Sequence, residues 1–345
     1  MALIHIRLAA QVLTICALVL VVPASANVAF NVTPDPGTPQ YVIDAFSIAT
    51  AEWSVALADD ITVNINLSYQ PLAPGSLGQT ASSYVQEDYP SVVAALNASA
   101  TSPDDASAYS HLQPGSTYSR LINHTTDSPN GTNSATPYVN SLAPVLLTRA
   151  NAKALGFVGS GPGSDAVMQF NSSAPFDFNP SDGTTSGQFD FATIAAHEIG
   201  HALGFDSIVN RLEQIPSTAD QLPATILDLF RFSAASLAAG TDFIDNTADS
   251  SGKFFSVNGG ATSVAPFANG AIYGSGYQAD HWKEFSFTGL MDPQSFPGLQ
   301  RHIGAADLRA FDVIGYKLPE PGAGAILGFA LLLFRYLQKR RIARS

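Results

Sequence analysis

One cysteine, Cys16, is the only thiol in 345 residues, and it falls in an N-terminal segment expected to be removed. A mature chain without thiols forms no disulfide, so outside the cell it must be held by its core and by any bound metal. It also has no thiol of its own with which to block a metal. Charge is scarce too: 13% of residues are charged, and 16 Lys and Arg stand against 28 Asp and Glu, a formal net charge of −12. Arg7 and five cations near the C-terminus (Arg335, Lys339, Arg340, Arg341, Arg344) supply much of the basic complement, so the stretch between the ends is strongly acidic. Such a surface disfavours nucleic acid as a partner and suits solubility outside the cell. No internal repeat stands out, and no Asp-x-Asp-x-Asp-Gly loop marks a calcium site. With 46% hydrophobic residues the remainder can still bury a sizeable core.

The two ends read as addresses. Residues 1–26 combine a weakly basic start (His5, Arg7), an apolar run from Val12 to Val22 and an Ala-x-Ala site ending at Ala26. That is the pattern of a secretory signal peptide cut after Ala26. Residues 318–345 begin Leu318-Pro319-Glu320-Pro321 and continue with an apolar run from Gly322 to Phe334 and the basic cluster. The run is shorter than the ~20 residues a free-standing membrane helix needs, and the cations behind it favour the cytoplasmic side. Pro-Glu-Pro, a short apolar span and an Arg cluster together resemble the PEP-CTERM sorting signal. The resemblance implies an exosortase-type enzyme as partner, membrane contact only through this segment, and release or surface attachment afterwards.

Chemistry is concentrated in His197-Glu198-Ile199-Gly200-His201-Ala202-Leu203-Gly204-Phe205. On a helix, two histidines one turn apart project from the same face and can bind one metal ion. Glu198 lies where a carboxylate can take a proton from a metal-bound water. With 7 histidines in the chain, a chance match is expected roughly once in a hundred sequences or less. Asp190 suits the helix N-cap and Gly204 its end.

Around this motif, apolar spacing predicts a helix over 40–57, and strict alternation predicts a strand over 61–69. Residues 71–78 read as a loop, 84–98 and 145–155 as helices, and 99–140 as a long exposed excursion in which His111 and His124 are solvated. A strand of the same sheet is expected over 165–171, either an ordinary one or an edge that pairs with an extended substrate. Apolar positions over 227–232 suit core packing, and a short helix over 305–315 ends at Gly315, with His302 at its N-terminal edge.

Zinc in a hydrolytic site takes three protein ligands and keeps one position open. Position 207, where the extended motif would place a third His, holds Ser207, and Asp206 is one place out of register. Downstream, His281-Trp282 is followed by Leu290-Met291 and Pro293. The His-Glu-x-x-His helix, a long insertion, a His-Trp pair and Leu-Met with a following proline resemble the leishmanolysin-type metallopeptidases, which are metzincins. The resemblance covers roughly 189–293 and implies His197, His201 and His281 as ligands of one catalytic Zn2+, Glu198 as general base and Met291 as the Met-turn residue; Asp206 stays open as the alternative ligand. It departs from that family in lacking a latency cysteine and in carrying Pro293 where astacin-like relatives have a tyrosine. The fold it implies is metzincin-like α+β: an upper lobe over 27–204 with a twisted mixed sheet and the active-site helix, then an insertion and smaller irregular lower lobe over 205–317. The function implied is a secreted zinc endopeptidase acting on a protein or peptide. The alternative is a non-catalytic matrix or surface protein with a structural zinc clamp, and hydrolysis of something other than a peptide also stays open.

Overall fold

Alternation and helical spacing set the first layer of the fold. The computed structural model describes residues 27–214 and 221–319, so the signal over 1–26 and the sorting segment, apart from Leu318 and Pro319, lie outside the described residues. β1 (Ala29–Pro34) leads into α1 (Gln40–Ala56), whose stripe of Val42, Phe46, Ala49 and Trp53 is fully buried. In β2 (Thr62–Gln70), Val63, Ile65 and Leu67 enter the core while Thr62, Asn64 and Asn66 take the other face.

The next stretch departs from the sequence reading. β3 (Gly78–Ser82) and β4 (Tyr84–Asp88) precede α2 (Tyr89–Ser99), so the helix expected over 84–98 is strand in its first third. Pro90 in the first turn, tolerated there because its missing N–H is not needed, marks where the helix starts. The excursion over 99–140 is partly structured. α3 (Pro103–Ser110) is set by a capping box between Ser102 and Asp105, and β5 (Tyr118–Ile122) buries Tyr118, Leu121 and Ile122 beside β6 (Tyr138–Leu142). The helix expected over 145–155 is β7 (Pro144–Thr148) followed by α4 (Arg149–Ala154), with Thr148 capping the turn. β4 and β7 pair antiparallel, and that pairing overrides the local helical preference of both segments.

β8 (Ala166–Asn171) completes a mixed sheet in the order β1-β2-β8-β3, three strands parallel and β3 antiparallel. The strand over 165–171 is therefore interior, paired on both sides, with Ala166, Met168 and Phe170 buried; the edge is β3. β9 (Phe176–Asp177) and β10 (Phe189–Asp190) then pair just before α5 (Phe191–Leu203). Asp190 Oδ1 accepts from Thr193 N at 2.6 Å, and Gly204, at φ 118°, turns the chain away at the far end. α5 packs against α1 and under β3, and Trp53 Nε1 donates to Ala196 O at 2.8 Å across the helix pair.

The later chain is less regular: α6 (Val209–Gln214), β11 (Arg231–Phe232), α7 (Ala234–Ala239), β12 (Ile244–Asp245), β13 (Lys253–Phe255), β14 (Ala265–Phe267) and α8 (Ala305–Val313). β11, β13 and β14 form a small sheet, while β12 joins β5 in parallel and so ties the insertion to the earlier chain. Gly315, at φ 101°, ends α8 as expected, and Tyr316 OH donates to Leu203 O at 2.8 Å, fastening the end of the chain to α5. The architecture is α+β, a mixed sheet backed by helices with several small sheets beside it. Among the described residues no helix is long and apolar enough to cross a membrane.

Candidate metal centre

α5 places His197 and His201 one turn apart, and the loop after β14 brings His281 to them. That loop is pinned by backbone bonds, Ala268 N to His281 O at 3.0 Å and Trp282 N to Met291 O at 3.0 Å. The buried guanidinium of Arg231 donates to Ala268 O and Ala279 O at 2.9 and 3.4 Å, bracing both sides of the same turn. The three Nε2 atoms converge, with separations of 3.1 Å (197 to 281), 3.1 Å (197 to 201) and 3.3 Å (201 to 281).

Each ring is oriented from behind. His197 Nδ1 donates to Leu290 O at 2.8 Å, His201 Nδ1 to Phe205 O at 2.7 Å and His281 Nδ1 to Gln278 O at 3.2 Å. With the Nδ1 atoms directed outward, three Nε2 atoms face one point, an arrangement that could hold a metal ion. Three nitrogens about 2.0–2.1 Å from a tetrahedral zinc would stand about 3.3–3.4 Å apart, close to what is seen. The residues fit the ion. Burial, reinforced by the neighbouring rings, holds His197 well below its ordinary pKa, and burial brings His201 down to about 4. Burial also pushes His281 down, but the Asp280 carboxylate, 2.9 Å from Nδ1, outweighs it and the ring sits above its ordinary value. A carboxylate behind a ligating ring raises its basicity.

Glu198 is not among the converging donors. Burial pushes its carboxyl up to about 7, against the Thr80 hydrogen bond that favours the charged form. Thr80 Oγ1 lies 2.7 Å from Oε2 and 3.0 Å from the Glu198 carbonyl, so the edge strand fixes the carboxylate's direction. A side chain at Gly78 would come within 3.1 Å of Glu198 Cγ and Oε1, so the absence of a Cβ there makes room for the glutamate. Asp206 is engaged elsewhere: it accepts from Tyr84 OH at 2.6 Å and from Ser207 N at 2.8 Å. Among the described residues, the group that could hold a metal ion is His197, His201 and His281, without Asp206.

Met291 is fully buried beneath the helix, where its sulfur occupies the space a Cβ at Gly200 would take. Its turn is organised by Asp307, a buried carboxylate that accepts from Leu290 N (2.7 Å), Met291 N (3.3 Å), Gly304 N (2.7 Å) and Trp282 Nε1 (2.7 Å). Asp307→Ala strands all these donors, and the expected loss is about 3 kcal/mol or more, read as a lower urea midpoint at unchanged slope. A midpoint within error of the parent would show that the turn does not depend on this residue.

The other described histidines stand apart. His111 is exposed, and His302 is 78% exposed with Nδ1 3.3 Å from Glu52. His124, expected in solvent, is half-buried and stacked on Tyr273 with ring centroids 3.7 Å apart, because the loop over 269–276 folds over it. The centre opens on a cleft of about 1060 Å³ walled by β3 on one side and by Tyr277, Gln294 and Phe296 on the other. Thr80, Gly78 and Asp307 carry no sequence signal that links them to the motif, and Asp280 was missed although it directly precedes His281. Comparison of the chain with protein-family models, with curated proteins and with solved structures returned no match.

Proposed function

We propose that this chain is a zinc-dependent endopeptidase of metzincin-like build, with His197, His201 and His281 holding the ion and Glu198 as general base. The observation that carries this reading is the convergence of three Nε2 lone pairs beside a buried carboxylate that is not one of the ligands. Zinc bound there supplies Lewis acidity, polarising a substrate carbonyl and making water nucleophilic near neutral pH. Glu198 accepts the proton of the attacking water and returns it to the departing amine. Thr80 keeps the carboxylate aimed during the exchange. The outer edge of β3 has no strand partner among the described residues, so its backbone can pair with an extended substrate running through the cleft.

Further support comes from the buried Met291 beneath the centre, the position the metzincin resemblance implies for the Met-turn residue. A closed structural clamp would use a fourth protein donor, and the described residues offer three. The same reading keeps 1–26 as an export signal and 318–345 as a segment for an exosortase-type enzyme. The test is purified protein with casein, with and without a chelator. Cleavage that stops with chelator and returns with zinc is expected; a folded, zinc-loaded protein that cleaves nothing overturns the reading in favour of the clamp.

A further inference from the structure

Phe285 and Phe287 stand in the loop between His281 and Met291 with 62% and 67% of their surface exposed. Both have positive φ, 56° and 51°, a conformation that costs a bulky residue and that Asn or Gly adopts freely. Strain combined with exposed apolar surface calls for a reason, and the surroundings of the two rings supply one. Phe285 is held by its backbone N–H to Gln294 Oε1 at 3.2 Å, and its ring meets Tyr277 edge-on with centroids 6.5 Å apart. Gln294 Nε2 donates in turn to Tyr277 OH at 2.6 Å, and both of these residues wall the cleft. Phe287 lies 5.6 Å from the guanidinium of Arg301, which pairs with Asp292 at 2.6 Å. That ion pair forms one side of the cleft and also of a second hollow of about 230 Å³ beside Phe287 and Leu299. Phe296, 40% exposed, sits on the cleft wall itself. Phe285 and Phe287 thus each neighbour residues that line the cleft, Tyr277 and Gln294 for one and Arg301 for the other, and the charges of Arg301 and Asp292 neutralise one another.

We infer that Phe285, Phe287 and Phe296 form an aromatic shelf that extends the cleft and holds an apolar side chain of an extended polypeptide substrate, several residues from the bond cut. This rests on the peptidase reading for the cleft and narrows its substrate class to unfolded or extended polypeptides carrying aromatic or aliphatic residues. Short peptides that fill only the cleft gain nothing from the shelf.

The test uses Phe285→Asn with Phe287→Asn, because asparagine accepts the left-handed backbone and should leave the melting temperature unchanged or higher. For unfolded casein the KM is expected to rise about tenfold at constant kcat, while a short fluorogenic peptide is cleaved as before. Parallel losses on both substrates, or on neither, overturn the shelf. Binding separates this outcome from failure of the peptidase reading itself. In a Glu198→Ala background, labelled casein should bind about tenfold more weakly when the two phenylalanines are replaced. Equal binding overturns the shelf whether or not the parent protein hydrolyses anything. Sedimentation with phosphatidylcholine vesicles that depends on the two rings, with casein binding unmoved, overturns it in favour of a lipid surface.

Discussion

Glu198→Ala is expected to leave a folded protein that still carries zinc and no longer cleaves casein. General acid–base assistance of this kind is worth about 10²–10⁴-fold, and a residue handling both proton transfers should lie at the upper end. The carboxylate stands outside the group of three imidazoles, so its removal takes away the proton acceptor and leaves the donors intact. It also frees Thr80 Oγ1 from its contact with Oε2, a small change at the sheet edge that should not disturb the helix. Two measurements are needed together, zinc content by mass spectrometry and initial rates on casein. Full zinc with undiminished turnover would remove Glu198 from the mechanism, and loss of zinc would make it a ligand. Glu198→Gln, which preserves shape and the contact with Thr80, should be as inactive as the alanine variant.

His281→Ala carries the second large effect. Replacing a residue that only orients a ligand costs 10–100-fold in metal affinity, so deleting one of three ligands should cost more than about a hundredfold. Zinc that binds the native state alone stabilises it by about 2.7 kcal/mol at a hundred times its dissociation constant, and in this variant the corresponding zinc-dependent rise in melting temperature should disappear. The zinc-free variant should melt close to the zinc-free parent, because the bonds pinning the loop, Ala268 N to His281 O and Trp282 N to Met291 O, belong to the backbone. Parent-like zinc affinity in this variant would return Asp206 as the third donor. Asp206→Ala, which breaks the contact with Tyr84, would then have to lose the metal instead.

The legible parts of the chain were those in which one element carries its own periodicity. α1 announces itself through Val42, Phe46, Ala49 and Trp53, and β2 through strict alternation. α5 was bounded by Asp190 and Gly204, whose roles follow from capping chemistry alone. Where strand runs directly into helix, at Asp88 to Tyr89 and at Thr148 to Arg149, the periodicity blurs and only Pro90 and the Thr148 cap mark the junction. β3 was missed because Gly-Gln-Thr-Ala-Ser has little apolar character, and its strand conformation comes from pairing with β8. The polar composition of 99–140 hid a capping box and a buried strand in the same way. In the site, two histidines and the glutamate share one helix and were visible as a motif. Thr80 meets Glu198 from 118 residues away, and Asp307 reaches the Met291 turn through bonds that arise only when α8 docks. Such contacts are products of topology and leave no local pattern.

The separation of 80 residues between His201 and His281 sets the order in which the site can come into being. A nascent chain halted before Ala279 already displays the paired imidazoles but grips an ion with two donors. On the proposed reading, capture of an ion by all three rings must wait until the chain through His281 has emerged and closed over the helix. On the peptidase reading, the metal cradle is thus completed late in the order of synthesis.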